Sequence, residues 1–411
     1  MSRTALVIGA GIAGSVAAVS LQRAGFEPVL YEGHERGAHG VGAFLGLGLN
    51  GISALRAVGM DAPVLDRGFA TDRMVITNGR GRVLADFPNG GALPDGTRAI
   101  TISRPDLYAA LAQQVVDAGI PVVHGKRLVH VEETADAVRA HFADGSTAEG
   151  DVLVGADGIR SAARHAIDPA APQPQYLGFL NTAGYARGVD LGLPSGVNHL
   201  VFGRRSFFGY VAHPDGDVWW FANPARREEP DPAALAAVPP DEWRRELREL
   251  FRDDTVPALD LIDRTEQISA GWVTYDLPSV RTWHTGRVVL VGDAAHAVSP
   301  SSGQGASLAI EDAVVLAKCL RDVPGAEAAF RRYHSLRRDR VEGVVAQGRR
   351  NGSGKTAGPV TRALRDAMMP LAMKAMFRGG RDPFRWIWNY RIDWDQEVPA
   401  ATSVSPSAVR Q

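Results

Sequence analysis

A glycine-rich turn near the N-terminus constrains the fold of this chain more than any other feature. The run ALVIGA reads as a short buried strand, Gly9, Gly11 and Gly14 follow with the spacing G-x-G-x-x-G, and a helical pattern continues to Gly25. A second strand, PVLYE, ends on Glu32. In such a βαβ unit the glycines permit a tight turn, a close approach to a pyrophosphate and close helix packing, and the acid accepts from ribose hydroxyls. The pattern therefore predicts dinucleotide binding and disfavours a signal peptide or an ordinary glycine-rich turn.

Length, charge and cysteine content limit the classes of protein to which this chain can belong. The chain has 411 residues, 45% of them hydrophobic, which is enough for one large domain or two ordinary ones. Lys and Arg total 45 against 46 Asp and Glu, so no global field favours nucleic acid or an anionic membrane. The single cysteine, Cys319, lies in an apolar helical pattern and excludes an intrachain disulfide. We expect a cytoplasmic protein with no nucleic-acid or membrane partner, and no metal-ligand cluster is apparent.

The stretch GRVVLVGDAAHAVSPSSGQG is a second motif in which a strand ends on an acid, far along the chain from the first motif. Its strand ends at Gly292-Asp293, and a helix is predicted to begin near Ala306. The first motif does not distinguish NAD from FAD, but only FAD has an open ribityl chain, whose hydroxyls need a fixed acceptor such as Asp293. The alternative for Asp293 is a helix cap or turn acid. The helix would direct its N-terminal amides at the pyrimidine edge of the flavin, which is negative when reduced.

A third motif, VLVGADGIRSAAR, again runs from a buried strand to an acid, at Asp157-Gly158. Arg104 lies where Pro105-Asp106 opens a helix. These residues predict cationic and amide donors around one pyrophosphate. The alternative for Arg104 is a surface ion pair.

Taken together, the three motifs resemble those of the single-component flavin-dependent aromatic hydroxylases, which include salicylate and hydroxybenzoate hydroxylases and the tetracycline-modifying monooxygenases. The resemblance covers about residues 1 to 350. It implies an α/β fold with a Rossmann-like FAD-binding domain, an inserted, mostly antiparallel β-sheet substrate domain and a C-terminal helical segment. The FAD contacts that it implies are Gly9, Gly11, Ile12, Ala13, Gly14, Glu32, Gly33, Arg36, Arg104, Leu128, Asp157, Gly158, Asp293, Pro300, Gly303, Gln304, Gly305 and Ala306.

Two positions depart from the pattern of that family. Gly33 follows Glu32 where the family commonly has arginine, so Arg36 or His34 is expected to help at the adenine end. Ser307 stands where many relatives have asparagine, next to the pyrimidine edge of the flavin.

The predicted domain organisation is discontinuous. We expect the FAD-binding domain to consist of residues 1–70, 101–175 and 281–350. The substrate-binding sheet is expected from residues 71–100 and 176–280. A C-terminal helical segment is expected at 351–398, and a flexible tail at 399–411. From about Tyr176 to Trp283 the helical pattern lapses and β-rich runs such as SFFGYVAHP and DVWWFANP follow one another.

Aromatic side chains on this sheet are the candidates for substrate contacts, because one face of the sheet would cover the isoalloxazine. The predicted substrate contacts are Phe208, Tyr210, Trp220 and Phe221. The alternative for each is ordinary packing in the core. The catalytic candidates are Gln304, Tyr210 and His213. His213 would bind a phenol oxygen or act only as a turn histidine, and Gln304 would position the substrate or serve the turn alone.

The run GSGKT near the C-terminus resembles the end of a Walker motif. Arg349 occupies the required first glycine position and no strand precedes the run, so a phosphate-binding loop is not predicted.

The resemblance implies an NAD(P)H- and O2-dependent monooxygenase. NADPH or NADH would reduce FAD transiently, oxygen would add at flavin C4a, and the hydroperoxide would transfer one oxygen atom to an aromatic or polyketide-like small molecule, most simply by hydroxylation. A monomer or homodimer is expected. A flavin-dependent oxidase or reductase on the same fold, and a non-catalytic flavin-binding regulatory protein, stay open as alternatives.

Overall fold

The computed structural model describes residues 3–35, 43–189, 191–352, 355, 358–380 and 382–398. The strands are β1 (Arg3–Ile8), β2 (Phe26–Tyr31), β3 (Phe44–Leu47), β4 (Phe69–Ala70), β5 (Arg73–Asn78), β6 (Val83–Pro88), β7 (Ile100–Ser103), β8 (Val122–Val123), β9 (Leu128–Glu133), β10 (Val138–Phe142), β11 (Thr147–Gly150), β12 (Val152–Gly155), β13 (Gln175–Ala186), β14 (Val197–Phe202), β15 (Phe207–Ala212), β16 (Val218–Asn223), β17 (Trp272–Asp276) and β18 (Val288–Leu290).

The helices alternate with these strands in the first half and dominate the C-terminal part. They are α1 (Ile12–Arg23), α2 (Leu49–Ala57), α3 (Ala62–Leu65), α4 (Arg104–Asp117), α5 (Ala162–Ile167), α6 (Pro232–Ala236), α7 (Pro240–Phe251), α8 (Ala258–Asp263), α9 (Asp293–His296), α10 (Gly305–Asp322), α11 (Ala326–Gly352), α12 (Pro359–Met376) and α13 (Arg385–Trp388), with short 3-10 helices at Pro300–Ser302 and Arg378–Gly380.

A parallel sheet of five strands, in the order β18-β12-β1-β2-β8, forms the nucleotide half of the molecule. Its central strands are almost entirely buried, as expected of a parallel sheet covered on both faces. Because β18 pairs with β12 and β12 with β1, the sheet brings Asp293, Asp157 and Gly9 to the same edge, at the carboxyl ends of neighbouring strands.

A second sheet of seven strands, in the order β17-β13-β16-β15-β14-β5-β6, lies beside the nucleotide half. Its pairs are antiparallel except β14 with β5. Two further sheets of three strands complete the fold, and the predicted fold class is confirmed. The strands of the large sheet come from residues 73–88 and 175–276, whereas the boundaries between domains stay a prediction.

Three helices interrupt the β-rich region from Tyr176 to Trp283, where the sequence analysis expects the helical pattern to lapse. They are α6, α7 and α8, and α7 buries Trp243, Leu247 and Phe251 while its other positions are mostly charged. These three apolar residues recur every four positions and form one helical stripe, a pattern that the search for β-rich runs overlooked.

The large sheet has an outer and an inner face. The outer face packs against α7 and α8 in a separate hydrophobic cluster, whereas the inner face meets the nucleotide half. The inner-face contacts include the Tyr185 hydroxyl, which donates to the Ala43 carbonyl oxygen over 3.1 Å, and Phe44, whose ring centroid is 5.6 Å from that of Trp219. The inner face of the large sheet is therefore the face that contacts the nucleotide half.

The C-terminal helices close the molecule against both halves. In α12, Asp366 accepts from the Asn78 amide over 2.8 Å, and Arg365 lies over the Phe202 ring. Over the described ranges, no helix is both long enough and apolar enough to span a membrane. The predicted tail, residues 399–411, lies outside the described residues.

Candidate active site

The three N-terminal glycines differ in what surrounds them. A Cβ added at Gly9, where φ is +99°, would lie 2.5 Å from the Ala156 carbonyl oxygen, and one at Gly14 would lie 1.8 Å from the Gly9 carbonyl oxygen. At Gly11 a Cβ would meet no atom of the described chain within 4 Å. Packing thus requires the first and third glycines, while the second leaves open the space in front of α1, which begins at Ile12.

Two helix N-termini converge on the cleft in front of these glycines. Gly292, between them with φ +58°, would place a Cβ 3.1 Å from the Ala13 Cβ in α1 and 3.0 Å from the Ala309 Cβ in α10. In the part of the chain that the structure describes, neither N-cap, Gly11 or Gln304, makes a side-chain capping bond, and neither first turn contains an acid. Their free amides and positive dipole ends are suited to bind anionic groups.

Asp293 is the acid at the centre of the cleft. Protein atoms surround it deeply, yet its side chain is open to the cleft. Burial raises the pKa of its carboxyl, and the positive charge of Arg104 acts in the opposite direction. An acceptor that is surrounded by protein but free on its cleft side is what a bound polyol requires.

Arg104, at the start of α4, lies close enough to Asp293 for its charge to lower the pKa of that carboxyl. Its Nη2 donates to the Tyr108 hydroxyl over 3.1 Å, and its backbone N–H donates to the Ala43 carbonyl oxygen over 3.0 Å. Its Nε is buried and has no hydrogen-bond partner among the described residues. A buried, unpaired guanidinium donor is costly unless a ligand oxygen accepts from it.

Glu32 lies at the end of β2, where the sequence predicts the adenosine end of the cofactor. Its carboxylate is 7% exposed and accepts from the Ala10 N–H over 2.8 Å and from the His34 N–H over 2.9 Å. The acid thus ties the glycine turn to the end of β2 and keeps lone pairs for a ribose. Leu128 is buried at the start of β9, and a Cβ at Gly33 would lie 3.7 Å from the Arg127 Cα. Arg36 lies outside the described residues.

The Asp157 carboxylate is committed to its own helix. It accepts from the Ser161 hydroxyl and from the Ala163 N–H, over 3.0 Å for the latter, and so caps α5. Gly158 follows with φ +77°, which favours glycine. The Asp157 Cα lies beside Gly9, 3.1 Å from an added Cβ, and an FAD contact of Asp157 or Gly158 stays a prediction.

The turn before α10 carries the remaining FAD candidates. Pro300 is exposed at the start of a 3-10 turn, Gly303 has φ +61°, and Gly305 and Ala306 begin α10. Gln304 is 1% exposed, and its Oε1 accepts from the Asn50 amide over 2.9 Å. Its Nε2 donates to the Gly303 carbonyl oxygen over 3.3 Å, so the structure supports the turn role for this residue.

Three of the predicted substrate residues lie on the outer face of the large sheet. Phe208 and Trp220 are fully buried and stack at 5.4 Å, against Phe251 of α7. Tyr210 stacks on His199 at 4.7 Å, and burial raises its pKa to about 12, which disfavours a phenolate. Because side chains alternate along a strand, these three point away from the nucleotide half and do not contact a substrate bound there.

Phe221 and the neighbouring Trp219 occupy the inner face instead. Their rings lie 6.0 Å and 5.6 Å from that of Phe44 in β3. Trp219 was missed by the sequence analysis, although it lies two residues before Phe221 and therefore shares its face. His213 lies at the end of β15, with Nδ1 2.6 Å from Asp215 and its ring stacked on Trp219. These contacts support the turn role for His213.

Comparison with known proteins decides the family. The model of a family described as an FAD binding domain matches residues 2–348. The chain belongs to the FAD-dependent aromatic hydroxylases. Aurachin C monooxygenase/isomerase of Stigmatella aurantiaca is 34% identical over 352 residues, covering 85% of this chain and 88% of that protein. An FAD-dependent urate hydroxylase of Klebsiella pneumoniae is 32% identical, covering 84% and 88%.

A solved structure agrees with this assignment. Klebsiella pneumoniae HpxO complexed with FAD and uric acid superposes with a TM-score of 0.80 at 28% identity, over 92% of this chain and 95% of that one. The family, the FAD cofactor and the class of FAD-dependent monooxygenase, which the sequence motifs implied, are confirmed.

The residues present in this hydroxylase fit FAD. The open space at Gly11, the unpaired Arg104 Nε and the cleft-facing Asp293 carboxylate are three independent observations of the chain, and each calls for a polar ligand group. In a bound state, Gly11 and the N-terminus of α1 would hold the pyrophosphate, and Asp293 and Arg104 would hold the ribityl chain.

Proposed function

We propose that this hydroxylase uses NADPH or NADH and O2 to insert one oxygen atom into a small aromatic or polyketide-like molecule, with hydroxylation as the reaction. The observation that carries the proposal is the joint arrangement of the cleft and the sheet. Two uncapped helix N-termini and Asp293 lie together in the nucleotide half, and the inner-face rings of Trp219 and Phe221 lie within 6.0 Å of Phe44 in β3. Bound FAD supplies electron transfer and oxygen activation.

The protein's own contribution is binding, orientation and exclusion of water. The N-terminus of α10 would stabilise negative charge on the reduced flavin, because its positive dipole end and free amides would face the pyrimidine edge. The inner-face rings of Trp219 and Phe221, together with Phe44 of β3, would hold a flat aromatic substrate parallel or edge-on to them. No base is assigned, since the Gln304 and His213 side chains are already engaged in the turns that hold them.

The decisive experiment is rapid mixing of the anaerobically reduced holoenzyme with oxygen. Reduction by NADH and by NADPH is compared first, because the proposal requires at least one of them to reduce the flavin. The flavin spectrum is then followed for an oxygenated flavin, as the resemblance predicts. Direct return to oxidised flavin, with hydrogen peroxide released, would contradict the proposal and favour an oxidase.

A second measurement follows the oxygen atom itself. The holoenzyme is incubated under 18O2 with the reduced nicotinamide and, in turn, salicylate, 4-hydroxybenzoate and urate. We expect one labelled oxygen atom in the product of a turned-over compound, and none when the same reaction is run with labelled water.

A further inference from the structure

Lys355 is an amine that the mechanism above does not use. It follows the end of α11, and its backbone N–H donates to the Gly352 carbonyl oxygen over 3.1 Å. Gly352 itself lies against the turn before α10, since a Cβ there would be 3.3 Å from the Ser301 hydroxyl. The chain thus passes from this turn to the large sheet, and Lys355 is the point of contact with the sheet.

The side chain of Lys355 ends on the inner face, among aromatic rings. Its Nζ lies 4.3 Å from the ring centroid of Phe207 and 5.5 Å from that of Phe179, and both rings are buried. Phe207 is also 6.0 Å from Phe221, so the amine belongs to the same face as the proposed substrate rings. Cation–π contacts hold an ammonium here but do not neutralise it.

A chain of buried amides fixes the position of the amine. Lys355 Nζ donates to Asn223 Oδ1 over 2.7 Å, Asn223 Nδ2 donates to Asn181 Oδ1 over 2.6 Å, and Asn181 Nδ2 donates to Thr274 Oγ1 over 2.5 Å. Asn223 Nδ2 also has the Leu180 carbonyl oxygen within 3.4 Å. Because acceptors surround that nitrogen, the amide oxygen of Asn223 must face Lys355.

The charge of Lys355 is not balanced within the described chain. No carboxylate of the described residues forms an ion pair with it, whereas Lys126 pairs with Asp144 at 2.5 Å and Lys318 donates to two backbone carbonyls at the C-terminal segment. Burial lowers the pKa of Lys355 to about 7. A partly desolvated ammonium without a counter-charge is costly, and an anionic ligand would remove that cost.

We propose that Lys355 binds an anionic oxygen of the substrate, so that this hydroxylase selects aromatic acids, with a carboxylate or an ionised hydroxyl, over neutral aromatic compounds. The assignment rests on the proposed function, because it takes the inner face as the substrate side. Lys355 is a substrate-binding residue in this proposal, and Asn223 is a positioning residue that acts through it.

Binding to the oxidised holoenzyme tests the proposal without turnover. The probes are matched pairs that differ in charge, salicylate with salicylamide for the carboxylate and 4-nitrophenolate with 4-nitroanisole for the ionised hydroxyl. Perturbation of the flavin absorbance reports Kd. We expect at least one anion to bind about tenfold or more tightly than its neutral partner, the range of a hydrogen bond to a charged group.

Variants then assign that preference to one residue. Lys355→Met should abolish the preference while the Kd of the neutral partner and the FAD content stay unchanged, and Lys355→Arg should keep part of it. Asn223→Asp is an independent test, because it supplies a carboxylate to the amine without removing it and should also abolish the preference. Lys374→Met, at an exposed position of α12, is the matched control and should change nothing.

Two results would overturn the assignment. One is a wild-type protein that binds no anion more tightly than its neutral partner, including no binding at all. The other is a preference that survives in both Lys355→Met and Asn223→Asp. Oxygen insertion is measured separately under 18O2. If the wild type shows the preference and the variants lose it, but the wild type inserts no oxygen, only the proposed function is refuted. If the wild type inserts oxygen but the anion preference is absent or survives in both variants, only the anion site is refuted.

Discussion

Asp293 is the residue on which FAD affinity should depend most directly. It is the acid at the cleft to which a ribityl hydroxyl would donate, and Arg104 lies close enough to affect its charge. We expect Asp293→Ala to weaken FAD binding about 10- to 100-fold, the cost of losing a hydrogen bond to a charged group. Titration of the apoprotein with FAD, followed by flavin fluorescence, measures Kd.

The matched variant is Asp293→Asn, which keeps one oxygen acceptor. Its Kd should lie between those of the wild type and Asp293→Ala. An unchanged Kd in Asp293→Ala would show that the carboxylate serves only as a turn acid.

Asp254 makes stability depend on pH. It is 8% exposed, accepts from the Arg204 N–H over 3.0 Å, and burial raises its pKa to about 6. Since the folded pKa exceeds the unfolded one, the stability contributed by the protonated carboxyl is full below about pH 4 and is lost as the pH rises through about 6. Asp254→Asn should therefore raise the free energy of unfolding at pH 7 by about 2 kcal/mol.

Urea unfolding at pH 4 and pH 7 checks this prediction. The gain from Asp254→Asn should disappear at pH 4, where wild-type Asp254 is already neutral. Asp136→Asn, in an exposed turn, is the control and should give no gain at either pH. An equal gain at both pH values would contradict the electrostatic explanation.

At the scale of elements, the junction of β1 and α1 separates folding from cofactor binding. A Cβ at Gly14 would overlap the Gly9 carbonyl oxygen at 1.8 Å, whereas one at Gly11 would meet no described atom within 4 Å. Gly14→Ala should destabilise the apoprotein by about 1–3 kcal/mol, the usual cost of overpacking. Gly11→Ala should leave the melting temperature of the apoprotein nearly unchanged but weaken FAD binding at least about tenfold, by filling the pyrophosphate space.

Calorimetry of the two apoproteins and FAD titration of each distinguish these effects. A Gly14→Ala protein as stable as the wild type, or a Gly11→Ala protein with unaltered FAD affinity, would contradict the corresponding half of the prediction.

The elements that the sequence predicts well are those specified by neighbouring residues. The strand, glycine turn and helix around Gly11 are local, and so is the strand that ends at Asp293. In contrast, neighbouring residues do not specify which face of β15 and β16 packs into the core. Alternation predicts that Trp219 and Trp220 point to opposite faces, but only the packing of α7 against one face shows that Trp220 belongs to the core.

Lys355 shows the same limit more sharply. Its sequence surroundings predict no phosphate-binding loop and indicate no other role, whereas its contacts are with Asn223 and Phe207, which are distant along the chain and adjacent only in the folded sheet. The unpaired charge becomes visible only when the surroundings of the amine are known.

At the scale of the whole molecule, a buried cluster of charged side chains joins α10 to the C-terminal part of the chain. Arg337 of α11 is fully buried, 2.6 Å from Glu311 and 2.7 Å from Asp312 of α10. Arg340 binds the same Glu311 and the backbone carbonyls of Trp386 and Ile387. The cluster therefore connects α10, α11 and the closing segment around α13.

Removing Arg337 should leave the two buried carboxylates with less positive charge beside them. Arg337→Met is expected to lower the free energy of unfolding by about 3–5 kcal/mol, because Glu311 and Asp312 each lose a buried cationic partner and keep only Arg340 and His296, respectively. Arg331→Met is the control on the same helix, since its pair with Glu327 is exposed and should contribute nothing measurable. Urea midpoints of the two variants make the comparison, and similar midpoints would contradict a structural role for the cluster.

The order of strands in the parallel sheet also has a consequence for biosynthesis. β1 and the glycine turn leave the ribosome early, whereas β18, which pairs beyond β12, and the acid that follows it emerge only after the whole large sheet has been synthesised. Pairing between segments so distant along the chain is slow, and the N-terminal unit has an unpaired strand edge until β12 arrives. We therefore expect FAD to be captured only after β18 has joined the sheet, because a nascent chain stalled before residue 293 carries the dinucleotide motif without the predicted ribityl acceptor.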